Sequence, residues 1–159
     1  MLKKGFTKSA AQSIPEIKRL QGENPDVAFY AGIAKHDISY ADFDKKAIFI
    51  SISKSNIENI TTALHELGHY RNGYRTKNII NNEAMAWFYA LEYANSHKYP
   101  FSKRVAYNAF MTYLEAYIAC KRYYDKNIKR KKKVKEETYL RFYQKTWLKD
   151  FYYCSAICD

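Results

Sequence analysis

Cysteine is scarce in this chain. Three in 159 residues, Cys120, Cys154 and Cys158, is an odd number in a protein long enough to fold without staples, which speaks against a disulfide framework. Cys154 and Cys158 stand four apart, a spacing that on a helix lets two thiols share a metal or a disulfide. Buried free thiols near a helix end are the simpler reading. With 5 glycines and 3 prolines there is no Gly/Ser-rich linker, and no segment repeats. No apolar run approaches the ~20 residues that a membrane-spanning helix needs. The basic start, Met1-Leu2-Lys3-Lys4-Gly5-Phe6-Thr7, leads into no apolar signal region. A single cytoplasmic domain over 1–159 with no membrane partner is the expectation, and 47% hydrophobic with 27% charged residues fits a folded chain.

Acidic residues are also few, 16 against 27 Lys and Arg, for a net charge of +11. The excess is local: Lys121 to Lys135 carries nine basic residues and one Asp, or +8, leaving +3 for the rest. The core of this stretch, Lys129-Arg130-Lys131-Lys132-Lys133-Val134-Lys135, is preceded by Tyr123 and Tyr124. As a solvated loop between helices it needs no role. As a functional patch it offers phosphate contacts with tyrosines for stacking, or a dock for an acidic protein.

The pattern along the chain is a small α+β front, 1–100, and an aromatic, basic, all-helical extension, 101–159. Ser13-Ile14-Pro15-Glu16 reads as a capping box opening a short helix that Gly22 stops. Val27 to Ile33, Ile38 to Tyr40 and Ala47 to Ser53 read as two or three short antiparallel strands. In the last of them Ile48, Ile50 and Ile52 alternate with Phe49, Ser51 and Ser53. Ser55-Asn56-Ile57-Glu58 is a second capping box. The helix it opens carries Ile57, Ile60, Leu64 and Leu67 as one apolar stripe and stops at Asn72-Gly73. Further helices are expected from Asn81 or Asn82 to before Pro100, from about Ser102 to Ile118, and from about Glu136 to Ala156.

That second capped helix contains His65-Glu66-Leu67-Gly68-His69, an HExxH pattern. Residues four apart share a helix face, so the two imidazoles can grip one metal while Glu66 flanks the position of an attacking water. Chance supplies the pattern in roughly one chain in a few hundred of this length, so its surroundings decide. At 100° per residue both histidines point away from the apolar stripe, toward a cleft. A catalytic zinc takes three protein ligands and leaves one position open. Glu83, one turn into the next helix, is the leading candidate for the third, with Glu92 and His97 as rivals and a first-turn, dipole-stabilised carboxylate as the bland alternative. Glu66 would serve as general base. Tyr70, Tyr74, Tyr93 and His97 are candidate oxyanion or substrate contacts. The Ala47–Ser53 strand is the expected edge for a substrate docking by strand addition. His36 reads as a loop residue, and Trp87, Phe88 and Tyr93 as core.

From Ala47 to Ala94 the order of parts resembles the ImmA/IrrE family of metallo-endopeptidases. A strand (Ile48-Phe49-Ile50) is followed by Ala63-Leu64-His65-Glu66-Leu67-Gly68-His69-Tyr70 and then by Asn82-Glu83-Ala84-Met85-Ala86-Trp87-Phe88. The resemblance covers about a third of the chain, and Met85 stands where the family has Asn. It implies a zincin-like fold of gluzincin type, one zinc per chain held by His65, His69 and Glu83, and cleavage of a protein substrate. Several family members cut helix-turn-helix repressors of phage or mobile-element genes. Two other classes compete. One is a nucleic-acid-binding or host-interaction protein that keeps a non-catalytic zincin fold. The other is a closed zinc site that only stabilises the helices.

Overall fold

A computed structural model describes residues 5–33, 39–53, 55–73, 79–112 and 114. The chain divides into two compact units, Met1–Ser102 and Lys103–Asp159, each taken by itself. In the second, the described part is a helix over 103–112. Its Ala106 and Phe110, and Leu114 just beyond it, are buried at four-residue spacing. The basic stretch, the three cysteines, His36, Tyr74 and the helix expected from Glu136 lie outside the described residues.

The first unit is a mixed α+β fold. It runs α1 (Lys8–Gln12), α2 (Pro15–Glu23), β1 (Ala28–Gly32), β2 (Tyr40–Asp42), β3 (Ala47–Ser51), α3 (Asn56–Asn72) and α4 (Ile79–His97). The sheet order is β1-β3-β2. β2 pairs antiparallel with β3 as expected, but β1 pairs with β3 in parallel. The expected all-antiparallel sheet is therefore mixed, and β3, expected as the edge, is its centre. Burial on both faces explains this: Ala47, Ile48, Phe49 and Ile50 are all at most 2% exposed, so the alternation of sequence is not an alternation of core and solvent. On one face Tyr30, Phe49 and Tyr40 sit in register across the three strands. Their rings stack at 5.1 and 4.7 Å, and Phe6 meets Phe49 edge-on at 5.6 Å, aromatic pairs of the kind that stabilise a sheet beyond simple burial. Ile48 and Ile50 are fully buried on the other face, and α3 lies against β3.

The capping expectations divide. α3 starts as read: the Glu58 amide donates to Ser55 Oγ. It ends at Gly73, whose positive φ of +63° glycine adopts without a Cβ penalty. Asn59 adds a clamp, accepting from the Ser53 amide at 2.7 Å and donating to the Ser53 carbonyl, which fixes the turn from sheet to helix. Ser13 does not cap α2. Its hydroxyl donates to the Ala10 carbonyl and closes α1, a helix the sequence pattern did not indicate, and Ile14 takes the N-cap position with no side-chain bond. The apolar stripe of α3 also shifts: Ile60, Leu64 and Leu67 are fully buried, but Ile57 in the first turn is 48% exposed. Among the described residues no helix is long and apolar enough to cross a membrane.

Candidate metal centre

α3 is buried from Asn59 to Gly68 on most of its circumference, because β3 lies on one side and α4 on another. Each letter of the pentapeptide has a distinct surrounding. Leu67 is wholly in the core. Gly68 is where α4 crosses: a Cβ there would stand 2.5 Å from the Ala86 carbonyl oxygen and 2.9 Å from Ala86 Cα. Backbone atoms cannot yield as a flexible side chain can, so glycine is what permits the two helices to approach this closely. Asn72 Nδ2 fastens the same crossing by donating to the Met85 carbonyl at 3.2 Å. Glu83 lies one turn before Ala86 on α4, and the close crossing brings it to the histidines.

His65, His69 and Glu83 form one buried group, each about 5–6% exposed. The Nε2 atoms of the two histidines are 3.1 Å apart. Glu83 Oε2 is 3.2 Å from His65 Nε2, and Glu83 Oε1 is 3.2 Å from His69 Nε2. For donors at two corners of a tetrahedron around an ion with bonds of ~2.0–2.1 Å, the separation is roughly 3.3–3.4 Å. The observed separations, with the carboxylate turning one oxygen to each ring, fall slightly short of that. Glu83 Oε2 is buried without a hydrogen bond despite its nearness to His65, as is suited to an oxygen aimed at a shared point rather than at a donor. Two imidazoles and a carboxylate are also the donor set of open zinc sites. The residues present fit a single divalent ion.

Burial and mutual charge set the protonation states. Burial holds His65 down to about 4, although Glu83 pulls the other way. Burial also acts downward on His69, but contact with Glu83 outweighs it and the net shift is upward. For Glu83 burial pushes upward, yet the two imidazoles win and hold it at about 2. For Glu66 burial, to which the like charge of Glu83 adds, outweighs the pull of His69 and of the Ala41 backbone amide and pushes it up to about 7. One carboxylate is thus kept ionised among the nitrogen donors, while its neighbour is poised between protonation states near neutrality.

Glu66 faces β2, an outer strand of the sheet, whose Ala41 amide lies against its carboxylate. Four residues on, Tyr70 stacks on Phe43 just past β2, at 5.8 Å. The Glu66–Tyr70 side of α3 therefore runs beside the β2 edge, and Tyr70 is the one described oxyanion or substrate candidate close to the site in sequence and on the matching face. Tyr93 and His97 are not brought there. They lie ten and fourteen residues beyond Glu83 on α4, about 15 and 21 Å along the axis. The Tyr93 hydroxyl donates to Glu23 and accepts from Asn24, and the His97 ring stacks on Tyr93 at 3.9 Å. Glu92, the other rival ligand, is exposed.

Three groups at the site have roles that the sequence reading does not assign. Gly68 carried a signal, since a glycine inside a helix costs about 1 kcal/mol and asks for a packing reason. Trp87, read as core, is buried but also stacks on the His65 ring. The Ala41 amide carries no side-chain signal at all. Compared with protein-family models, with curated proteins and with solved structures, the chain matches none.

Proposed function

We propose that this chain is a zinc-dependent endopeptidase with a zincin-like fold, acting in the cytoplasm. The observation that carries the reading is the convergence of His65, His69 and Glu83 within 3.1–3.2 Å of one another, with the buried Glu66 beside them. His65 Nε2, His69 Nε2 and the Glu83 carboxylate would hold the ion. A zinc ion bound there supplies a Lewis acid that polarises a peptide carbonyl and acidifies water. Glu66 takes a proton from the attacking water at its carboxylate oxygen and delivers it to the departing amine nitrogen. On this reading β2 replaces the Ala47–Ser53 strand as the edge along which an extended substrate lies, since among the described residues it is the outer strand of the sheet that passes over Glu66. The resemblance to ImmA/IrrE proteins supports a protein substrate of the helix-turn-helix repressor class, and the Lys129–Lys135 segment would bring enzyme and repressor together on the same nucleic acid.

Metal analysis of the purified protein should give about one zinc per chain, as a three-ligand site requires. Incubation with a proteome-derived peptide library, read by mass spectrometry, should show zinc-dependent cleavage. Glu66→Gln should retain the metal and lose the cleavage. Cleavage that persists in that variant overturns the mechanism, and a chain that binds zinc yet cuts nothing points to the non-catalytic alternative.

A further inference from the structure

A metal-bound histidine is usually oriented by a hydrogen bond from its other ring nitrogen to a carboxylate or a carbonyl. His65 departs from that arrangement. Its Nδ1 is buried without a hydrogen-bonding partner. The imidazole instead lies flat against the Trp87 indole, with ring centroids 3.8 Å apart and planes 21° from parallel. Both residues are buried, at 6% and 4% exposure. Trp87 follows Glu83 by four residues on α4, so one face of this helix presents both the carboxylate of the triad and the surface under its first histidine.

We propose that Trp87 is the positioning residue for His65 as a metal ligand, replacing the missing hydrogen bond with a stacked aromatic face. The inference rests on the metal-site reading above and adds to it how the first ligand is oriented. Two physical effects act together. The indole wall removes the ring rotations that would turn Nε2 away from His69 and Glu83, with no acceptor needed at Nδ1. The indole face also carries negative quadrupole density. An imidazole that has given its Nε2 lone pair to a divalent ion is electron-poor, so the stack favours the metal-bound ring over the free one. The Gly68–Ala86 crossing supports this, since Ala86 adjoins Trp87 and fixes how near α4 comes to α3.

The test uses the full-length chain and two substitutions with separate expectations. Trp87→Phe keeps an aromatic face, and Trp87→Leu keeps apolar volume without one. Zinc affinity is measured by competition with a chromophoric chelator, and folding is checked by circular dichroism. Loss of an orienting group costs roughly 10–100-fold in metal affinity. That loss is expected for Trp87→Leu, with Trp87→Phe retaining most of the wild-type affinity. Equal affinity in the Leu variant and the wild type, or equal losses in the Phe and Leu variants, overturns the proposal. A wild-type chain that binds no zinc overturns the metal reading itself, and the two failures are thus distinct.

A second measurement stands even where the Leu variant does not fold. The chain has two tryptophans, so Trp147→Phe leaves Trp87 as the sole tryptophan, excited at a wavelength that tyrosine does not absorb. Cobalt(II) bound at His65 should quench its fluorescence through contact, and excess zinc should restore it. Cobalt that binds, as read from its visible absorption, without quenching Trp87 overturns the stack.

Discussion

Gly68 is the residue on which the site's geometry most directly depends. Two opposed effects bear on Gly68→Ala. Alanine raises helix propensity by about 1 kcal/mol, but its Cβ would stand 2.5 Å from a backbone oxygen of α4. Overpacking against a rigid neighbour typically costs about 1–3 kcal/mol, so the clash prevails. The variant should melt at lower temperature, and it should bind zinc more weakly because Glu83 moves with Ala86. Calorimetry and chelator competition measure the two effects. At this scale the sequence was informative where chemistry and spacing coincide: His65, His69 and Glu83 meet as their types and positions indicated. It was silent where a role belongs to a backbone group, as with the Ala41 amide, or to a contact between ring faces, as with Trp87.

Among the elements, α3 was the most legible because its signals are local. A capping serine three residues before a glutamate and a glycine past the last turn are read within a few positions, and both ends fall where those residues stand. Ser55→Ala should lower stability by about 1 kcal/mol, the usual cost of losing an N-cap, seen as a shifted denaturation midpoint with an unchanged slope. The sheet was less legible. Three strands were visible as β-branched and aromatic runs, but the pairing of β1 with β3 joins segments separated by β2, and nothing local records which strand takes the centre. The capping box at Ser13 misled for a related reason. The same hydroxyl had a competing acceptor, the Ala10 carbonyl at the end of α1, and that bond prevailed.

Across the first unit as a whole, a polar network ties α2, α3 and α4 together. Arg71 on α3 holds Asp26 through both carboxylate oxygens, at 2.6 and 2.7 Å, and reaches Asn24. Glu23 accepts from the Tyr93 and Tyr99 hydroxyls and pairs with Arg19. The Arg71 guanidinium holds Asp26 below its ordinary 3.8. Burial pushes Glu23 up, but the two hydroxyls and Arg19 outweigh it and hold it below 4.5. Both carboxyls have folded values below their unfolded ones. Their stabilisation is present above the ordinary carboxylate range and is lost as pH falls through the depressed values. The melting temperature should therefore decline on acidification below about pH 4. Asp26→Asn should flatten that decline while costing about 1 kcal/mol or less at neutral pH, since the pair is largely exposed and screened. Zinc removal should act differently. The core around Phe29, Phe49, Leu64 and Leu67 is buried without reference to the triad, so chelation should lower the melting temperature and leave the chain folded, unlike a zinc finger, which unfolds.

The shortness of β2 bears on affinity. Three residues, Tyr40–Asp42, would offer an added strand about two main-chain hydrogen bonds at most, and the Ala41 amide is already engaged by Glu66. At about 0.5–1.5 kcal/mol net for each bond, they contribute roughly 1–3 kcal/mol, whereas micromolar binding requires about 8. A short peptide held by backbone pairing alone would dissociate almost as readily as it arrives. On the peptidase reading, a substrate retained long enough to be cut would need a second foothold elsewhere on the protein, and discrimination would then lie largely in that distant contact.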